Sequence, residues 1–158
     1  MTTIMLIATA MMIGLGAGLV LRRWVAAPAR IESVSMEPAL QPGQRVLVRP
    51  LRSVEGVARG DVVLVRSEEL GRVVVKRAVG LPGEHIVLDA GGHVWVDGRR
   101  LAEPYARHSP QAVRPATYAV PARSLFLLGD NRPISDDSRS WRQPYLREDA
   151  LVGRVIRL

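Results

Sequence analysis

The sequence predicts a mostly β chain, one domain of antiparallel strands behind a single hydrophobic span. Three observations carry this. First, 14 Gly and 11 Pro punctuate many short Val-rich runs, the pattern of strands joined by tight turns. Second, 47% of residues are hydrophobic but only 4% aromatic, so the core is aliphatic. Third, residues 2–21 carry no charge, and the rest of a 158-residue chain has room for one domain.

Residues 1–24 are read as an N-terminal transmembrane anchor. As a helix, the uncharged run of about 20 residues reaches the thickness of a bilayer's hydrocarbon core, about 30 Å. Arg22, Arg23 and Trp24 follow it, a polar and aromatic interfacial flank. A cleaved signal peptide is the rival reading, but it needs a charged leading segment and a shorter apolar run. Residues 25–34 are expected to be a linker that keeps the next segment close to the membrane.

Pro38 and Pro42-Gly43 mark turns after Ser33-Val34-Ser35-Met36. Residues 44–49 and 61–66 read as strands. Residues 72–80 form another, closed by the Leu81-Pro82-Gly83 turn. Ile86-Val87-Leu88 and Val94-Trp95-Val96 flank Gly91-Gly92 as a hairpin. The polar stretch 103–114 is expected to be an exposed excursion. Strands at 116–120 and 124–128 precede a dense polar turn at 129–139, and residues 151–157 close the domain.

The chain contains one lysine, Lys76; its 21 other Lys/Arg cations are all arginine. A surface cation tolerates that exchange. A site that must lose its proton does not, because guanidinium stays charged while a desolvated ammonium can approach neutrality. In a strand Lys76 shares a face with Val74 and Ala78, where burial lowers its pKa. There is no cysteine, hence no disulfide and no thiolate nucleophile or metal site. His85, His93 and His108 lack ligand spacing, and no metal or organic cofactor is expected. The net charge of +7 is spread along the chain without a basic helix, which argues against nucleic acid and for anionic lipid. A serine needs a base to become a nucleophile, and a neutral lysine can serve. Ser35, with Ser33 two residues before it, lies in a turn suited to expose a hydroxyl.

At these residues the chain resembles the type I signal peptidases, the membrane-bound Ser/Lys proteases of peptidase family S26. Ser35-Met36-Glu37-Pro38 fits the nucleophile motif S-M-x-P, and Gly60-Asp61-Val62-Val63 the next block. Lys76-Arg77-Ala78-Val79-Gly80-Leu81-Pro82-Gly83-Glu84 fits K-R-x-x-G-x-P-G-E. Gly129-Asp130-Asn131-Arg132 with Ser135 and Asp137-Ser138-Arg139 fits G-D-N-R-x-x-S-x-D-S-R, and Leu151-Val152-Gly153-Arg154 the closing block. The blocks run in order from about residue 31 to the end. Ala39 and Gln143-Pro144-Tyr145 depart from the usual residues, and the segment between Glu84 and Gly129 is short.

The resemblance implies a coiled antiparallel β catalytic core of the signal-peptidase/SOS-repressor type over residues 25–158, with 85–125 as a reduced, hairpin-like cap. It implies Ser35 as nucleophile and Lys76 as general base. Ser33 and the Ser35 N–H would form the oxyanion hole. Ser135 would bond and orient the Lys76 amine, while Arg77 with Asp130 and Asp137 with Arg139 brace the site. Ile31, Met36, Leu40 and Val75 would line shallow pockets for small side chains. The implied activity is cleavage of signal peptides from exported preproteins after Ala-x-Ala sites, at the outer face of the cytoplasmic membrane. The alternative is a dedicated maturation protease with one client, such as a conjugation protein or a nickel superoxide dismutase precursor. Flanking charge opposes the outward topology, since Arg22 and Arg23 follow the span and no cation precedes it.

Overall fold

A computed structural model describes residues 26–109 and 112–157. The expected anchor at 1–24 lies outside the described residues. Among the described residues, no helix is long and apolar enough to cross a membrane.

Eleven strands form two antiparallel sheets among the described residues. The strands are β1 (Ala27–Arg30), β2 (Arg45–Pro50), β3 (Val62–Ser67), β4 (Arg72–Gly80), β5 (His85–Leu88), β6 (Val94–Val96), β7 (Arg99–Arg100), β8 (Ala116–Ala119), β9 (Ser124–Leu128), β10 (Tyr145–Arg147) and β11 (Leu151–Arg157). The larger sheet runs β1-β2-β11-β3-β4-β9-β10, and the smaller β7-β6-β5-β8. The lysine strand thus sits inside the larger sheet, between β3 and β9.

The central strands are apolar on both faces because both faces are covered. On β3, Val63 and Val65 join one cluster with Val74, Ala78, Leu125 and Leu127. Val62 and Leu64, on the opposite face, join Ile31, Met36, Leu40, Val46 and Val48. The smaller sheet packs on the larger through a third cluster, in which Val79, Phe126 and Leu128 meet Ile86, Leu88 and Val94. The smaller sheet therefore shares its core with the larger one and is built around the expected β5–β6 hairpin.

The turn after β4 follows from its residues. Pro82 precedes Gly83, whose φ is +85°, and the Glu84 N–H donates to the Leu81 carbonyl. Pro then Gly at the two central positions is what a type II turn requires.

Three expectations are corrected. Residues 27–30 are not linker but an edge strand, in register with β2 from Ala27 opposite Val48 to Arg30 opposite Arg45. Pro28 is tolerated there because an edge strand has a side without a ladder. The short β10 was not anticipated; it pairs with β9, Tyr145 opposite Phe126. The stretch 103–114 is not wholly an excursion, because Arg107 forms a parallel bridge with Asn131 and its N–H donates to the Asp130 carbonyl.

Candidate active site

Ser35 lies in a single 3-10 turn, Val34–Met36, capped by Ser33. Met36 is 1% exposed, so it anchors the turn in the core and holds the buried Ser35 against β4. Two contacts from the 129–132 loop fix it further. The Asn131 N–H donates to the Ser35 carbonyl at 3.0 Å, and Asn131 Nδ2 donates to the Val34 carbonyl at 3.2 Å.

Lys76 stands in the middle of β4, opposite Val63 on β3. It is 3% exposed, and its Nζ donates to Ser35 Oγ at 2.8 Å across 41 residues of sequence. Burial pulls its pKa down from 10.5 to about 8. The Asp137 and Asp136 charges oppose that shift, while those of Arg139 and Arg72 add to it. A substantial neutral fraction is then present near physiological pH, and a neutral amine can accept a proton from a hydroxyl.

Two ion pairs on buried carboxylates flank this contact. Arg77 donates to both Asp130 oxygens, at 2.7 and 2.5 Å, and to the Gly60 carbonyl at 2.7 Å. Asp130 is fully buried. Asp137, also fully buried, accepts from Arg139 at 2.8 and 2.9 Å and from the Gly129 N–H at 2.9 Å. Gly129 has to be glycine. A Cβ there would lie 2.1 Å from Ser135 Oγ and 2.6 Å from the Ser35 carbonyl oxygen, and that oxygen is backbone and cannot step aside.

Three site expectations differ from what is found. The Ser135 hydroxyl does not bond Lys76; it is buried without a hydrogen-bond partner, while the Lys76 amine is directed to Ser35. The backbone holds Ser135 in that place, its N–H donating to the Asn131 carbonyl and its own carbonyl accepting from Arg139. The Ser33 hydroxyl is turned inward, accepting from the Ser35 N–H at 3.2 Å. The two expected oxyanion donors are therefore bonded to each other, as the cap of the 3-10 turn demands. Ile31, Met36 and Leu40 are 3%, 1% and 0% exposed, so they are core. Only Val75 of that group keeps open surface; it is half-buried and packs against the same cluster.

Other residues at the site were given no role by the motifs. Glu103 and Arg132 form an ion pair whose side chains are 3% and 4% exposed. Arg132 Nε also donates to the Gly129 carbonyl at 3.0 Å. Tyr105 lies under the Arg77 guanidinium, 3.9 Å from carbon to ring centroid. Arg59 pairs with Glu84 through both guanidinium nitrogens. Arg132 and Glu84 fall inside the motif blocks without an assigned role, Arg59 is hidden among 21 arginines, and Glu103-Pro104-Tyr105 sits in a polar, Pro-containing stretch that reads as loop. Among the described residues, no group of three or more His, Cys, Asp or Glu is placed to hold a metal ion.

The profile of the family signal peptidase, peptidase S26, matches residues 2–158. A probable signal peptidase I-1 from Synechocystis sp. is 33% identical over 155 residues, covering 92% of this chain and 77% of that protein. Signal peptidase I U from Bacillus subtilis is 32% identical over 135 residues, covering 80% and 71%. The crystal structure of a signal peptidase I from Enterococcus faecalis superposes with a TM-score of 0.54 at 28% identity, covering 63% of this chain and 96% of that one. The chain belongs to the signal peptidase family, peptidase S26, and is a serine endopeptidase.

Proposed function

We propose that this protein removes signal peptides from exported preproteins, with Ser35 as nucleophile and neutral Lys76 as its base. The observation that carries the reading is the 2.8 Å bond between Lys76 Nζ and Ser35 Oγ, made by a lysine whose pKa burial brings to about 8. The Lys76 amine takes the Ser35 proton as Oγ attacks the scissile carbonyl. The tetrahedral oxyanion is then held by the Ser35 N–H and the Ser33 hydroxyl. For this the Ser33 hydroxyl swings away from the Ser35 N–H, freeing both donors. Collapse breaks the C–N bond, and the Lys76 ammonium returns its proton to the departing amine. Lys76 next deprotonates a water, which attacks the acyl-enzyme and regenerates Ser35.

Ser135 stands next to the Ser35 carbonyl, and its unbonded hydroxyl is free to turn toward the Lys76 ammonium formed during the reaction. Arg77 with Asp130 and Arg139 with Asp137 hold the strand and loop that carry these groups. Selection of small residues, as in Ala-x-Ala, agrees with the tightly packed Ile31, Met36 and Leu40, which leave little depth beside Val75. The uncharged residues 2–21 would anchor the chain in the cytoplasmic membrane, with 25–158 outside the cytoplasm. A long domain can translocate against the flanking charge of Arg22 and Arg23.

The test is mass spectrometry of products from a mixed preprotein pool, comparing wild type with Ser35→Ala. Cuts after small-x-small sites that vanish in the variant support the reading. Cuts that persist in Ser35→Ala overturn the assignment of the nucleophile, and cleavage of one client alone selects the maturation protease. External protease added to intact spheroplasts should digest the domain; protection until permeabilisation would reverse the topology.

A further inference from the structure

We propose that residues 103–107 form a strap that sets the Ser35–Lys76 distance, with Glu103 and Tyr105 as positioning residues acting through Arg132 and Arg77. The inference rests on the Ser35/Lys76 reading above. Two routes lead from this one segment to the two halves of the dyad.

The first route reaches the nucleophile. Glu103 accepts from Arg132 at 3.2 and 2.5 Å, and Arg132 Nε donates to the Gly129 carbonyl. Two backbone bonds reinforce this, from the Arg107 N–H to the Asp130 carbonyl at 2.8 Å and from the Arg132 N–H to the Arg107 carbonyl at 3.0 Å. The loop held this way is the one whose Asn131 bonds the Ser35 and Val34 carbonyls.

The second route reaches the base. The Tyr105 ring supports the Arg77 guanidinium at 3.9 Å, and its hydroxyl donates to Glu103 at 3.3 Å. Arg77 is the chain neighbour of Lys76 and is fixed on its remaining sides by Asp130 and the Gly60 carbonyl. Side chains alternate along a strand, so holding Arg77 on one face fixes the direction of Lys76 on the other.

The chemistry of the strap favours positioning over simple stabilisation. A buried ion pair roughly breaks even against an apolar replacement of the same volume, so Glu103–Arg132 adds little net stability. A reacting pair, by contrast, must be held to within about 0.5 Å. Burial pushes the Tyr105 phenol up to about 12, so it remains a donor throughout the pH range of an assay.

The test uses the full chain and a fluorogenic Ala-x-Ala peptide, with kcat expressed per folded molecule from the unfolding curve of each variant. Tyr105→Leu removes the stacked ring. It should lower kcat at least about tenfold while KM stays within about twofold, since angstrom-scale misplacement costs up to about a hundredfold. The inflection of kcat with pH should rise toward the ordinary lysine value of about 10.4. Tyr105→Phe keeps the stack and loses only the Glu103 hydrogen bond, so its kcat should fall between those of wild type and Tyr105→Leu. Glu103→Gln, which loosens the Arg132 route, should lose at least about tenfold in kcat. The 13Cε signal of the only lysine reads the same displacement without substrate. Unchanged kcat per folded molecule and an unchanged Lys76 midpoint in both Tyr105→Leu and Glu103→Gln, with only the melting temperature lowered, would overturn the strap. Activity that survives in Ser35→Ala would instead overturn the dyad, leaving the Lys76 midpoint to decide the strap.

Discussion

Replacing Lys76 with Met should abolish activity and yet stabilise the fold at neutral pH. The two side chains are close in length, and Met is apolar. Lys76 is 3% exposed, and its pKa falls from 10.5 to about 8 on folding. At about 1.4 kcal/mol per pKa unit, keeping this ammonium buried costs the native state about 3 kcal/mol below pH 8. Met removes that cost but leaves Ser35 Oγ without its partner, a loss of about 1 kcal/mol. The net gain at pH 6 is about 2 kcal/mol, which raises Tm by about 4–8 °C in a domain of this size. The sign of the pH dependence follows from proton binding. Between pH 8 and 10.5 the unfolded chain keeps the Lys76 proton that the folded chain has released. Unfolding there takes up a proton, so wild-type stability rises with pH through that window. The advantage of the variant should shrink across it and reverse at its upper end. Urea unfolding of both proteins at half-unit steps from pH 6 to 10.5 measures the difference directly. A difference that stays constant with pH would refute the claim that Lys76 is desolvated.

Under the proposed mechanism Ser33→Ala should lose about 100- to 1,000-fold in kcat, the usual effect of removing one oxyanion donor; a loss confined to KM would assign Ser33 to binding. Asp130→Ala strands the Arg77 guanidinium in a buried site, so urea unfolding should show a loss of about 3–5 kcal/mol. Gly129→Ala places a Cβ 2.6 Å from the Ser35 carbonyl oxygen. It should lower kcat about a hundredfold by displacing the turn that carries Ser35, and activity near wild type would show that this turn has room to move.

Particular residues explain what the sequence alone made visible. The run from Val62 to Val65 and the alternation around Lys76 are strand patterns whose meaning is local, and both fall where they were expected. Lys76 itself was visible because it is the one lysine beside 21 arginines. The edge strand at 27–30 was hidden because Pro28 and Ala29 are poor strand formers, and its pairing with β2 comes from tertiary contact. The seat of Glu103 and Tyr105 was hidden for another reason. Their partners Arg132 and Arg77 stand 29 and 28 residues away in sequence, and no periodicity records contacts at that range. The inward Ser33 hydroxyl and the unbonded Ser135 hydroxyl depend on side-chain rotation, which motif spacing does not encode.

The proposed mechanism requires Lys76 to be neutral enough near physiological pH to take the Ser35 proton. Because the chain has one lysine, protein labelled with 13Cε-lysine gives a single signal, and its chemical shift against pH titrates this amine alone. A midpoint near pH 8 is predicted from the burial of Lys76. A midpoint near the ordinary value of about 10.4 would contradict it, leaving Lys76 a charged ammonium that cannot act as the base.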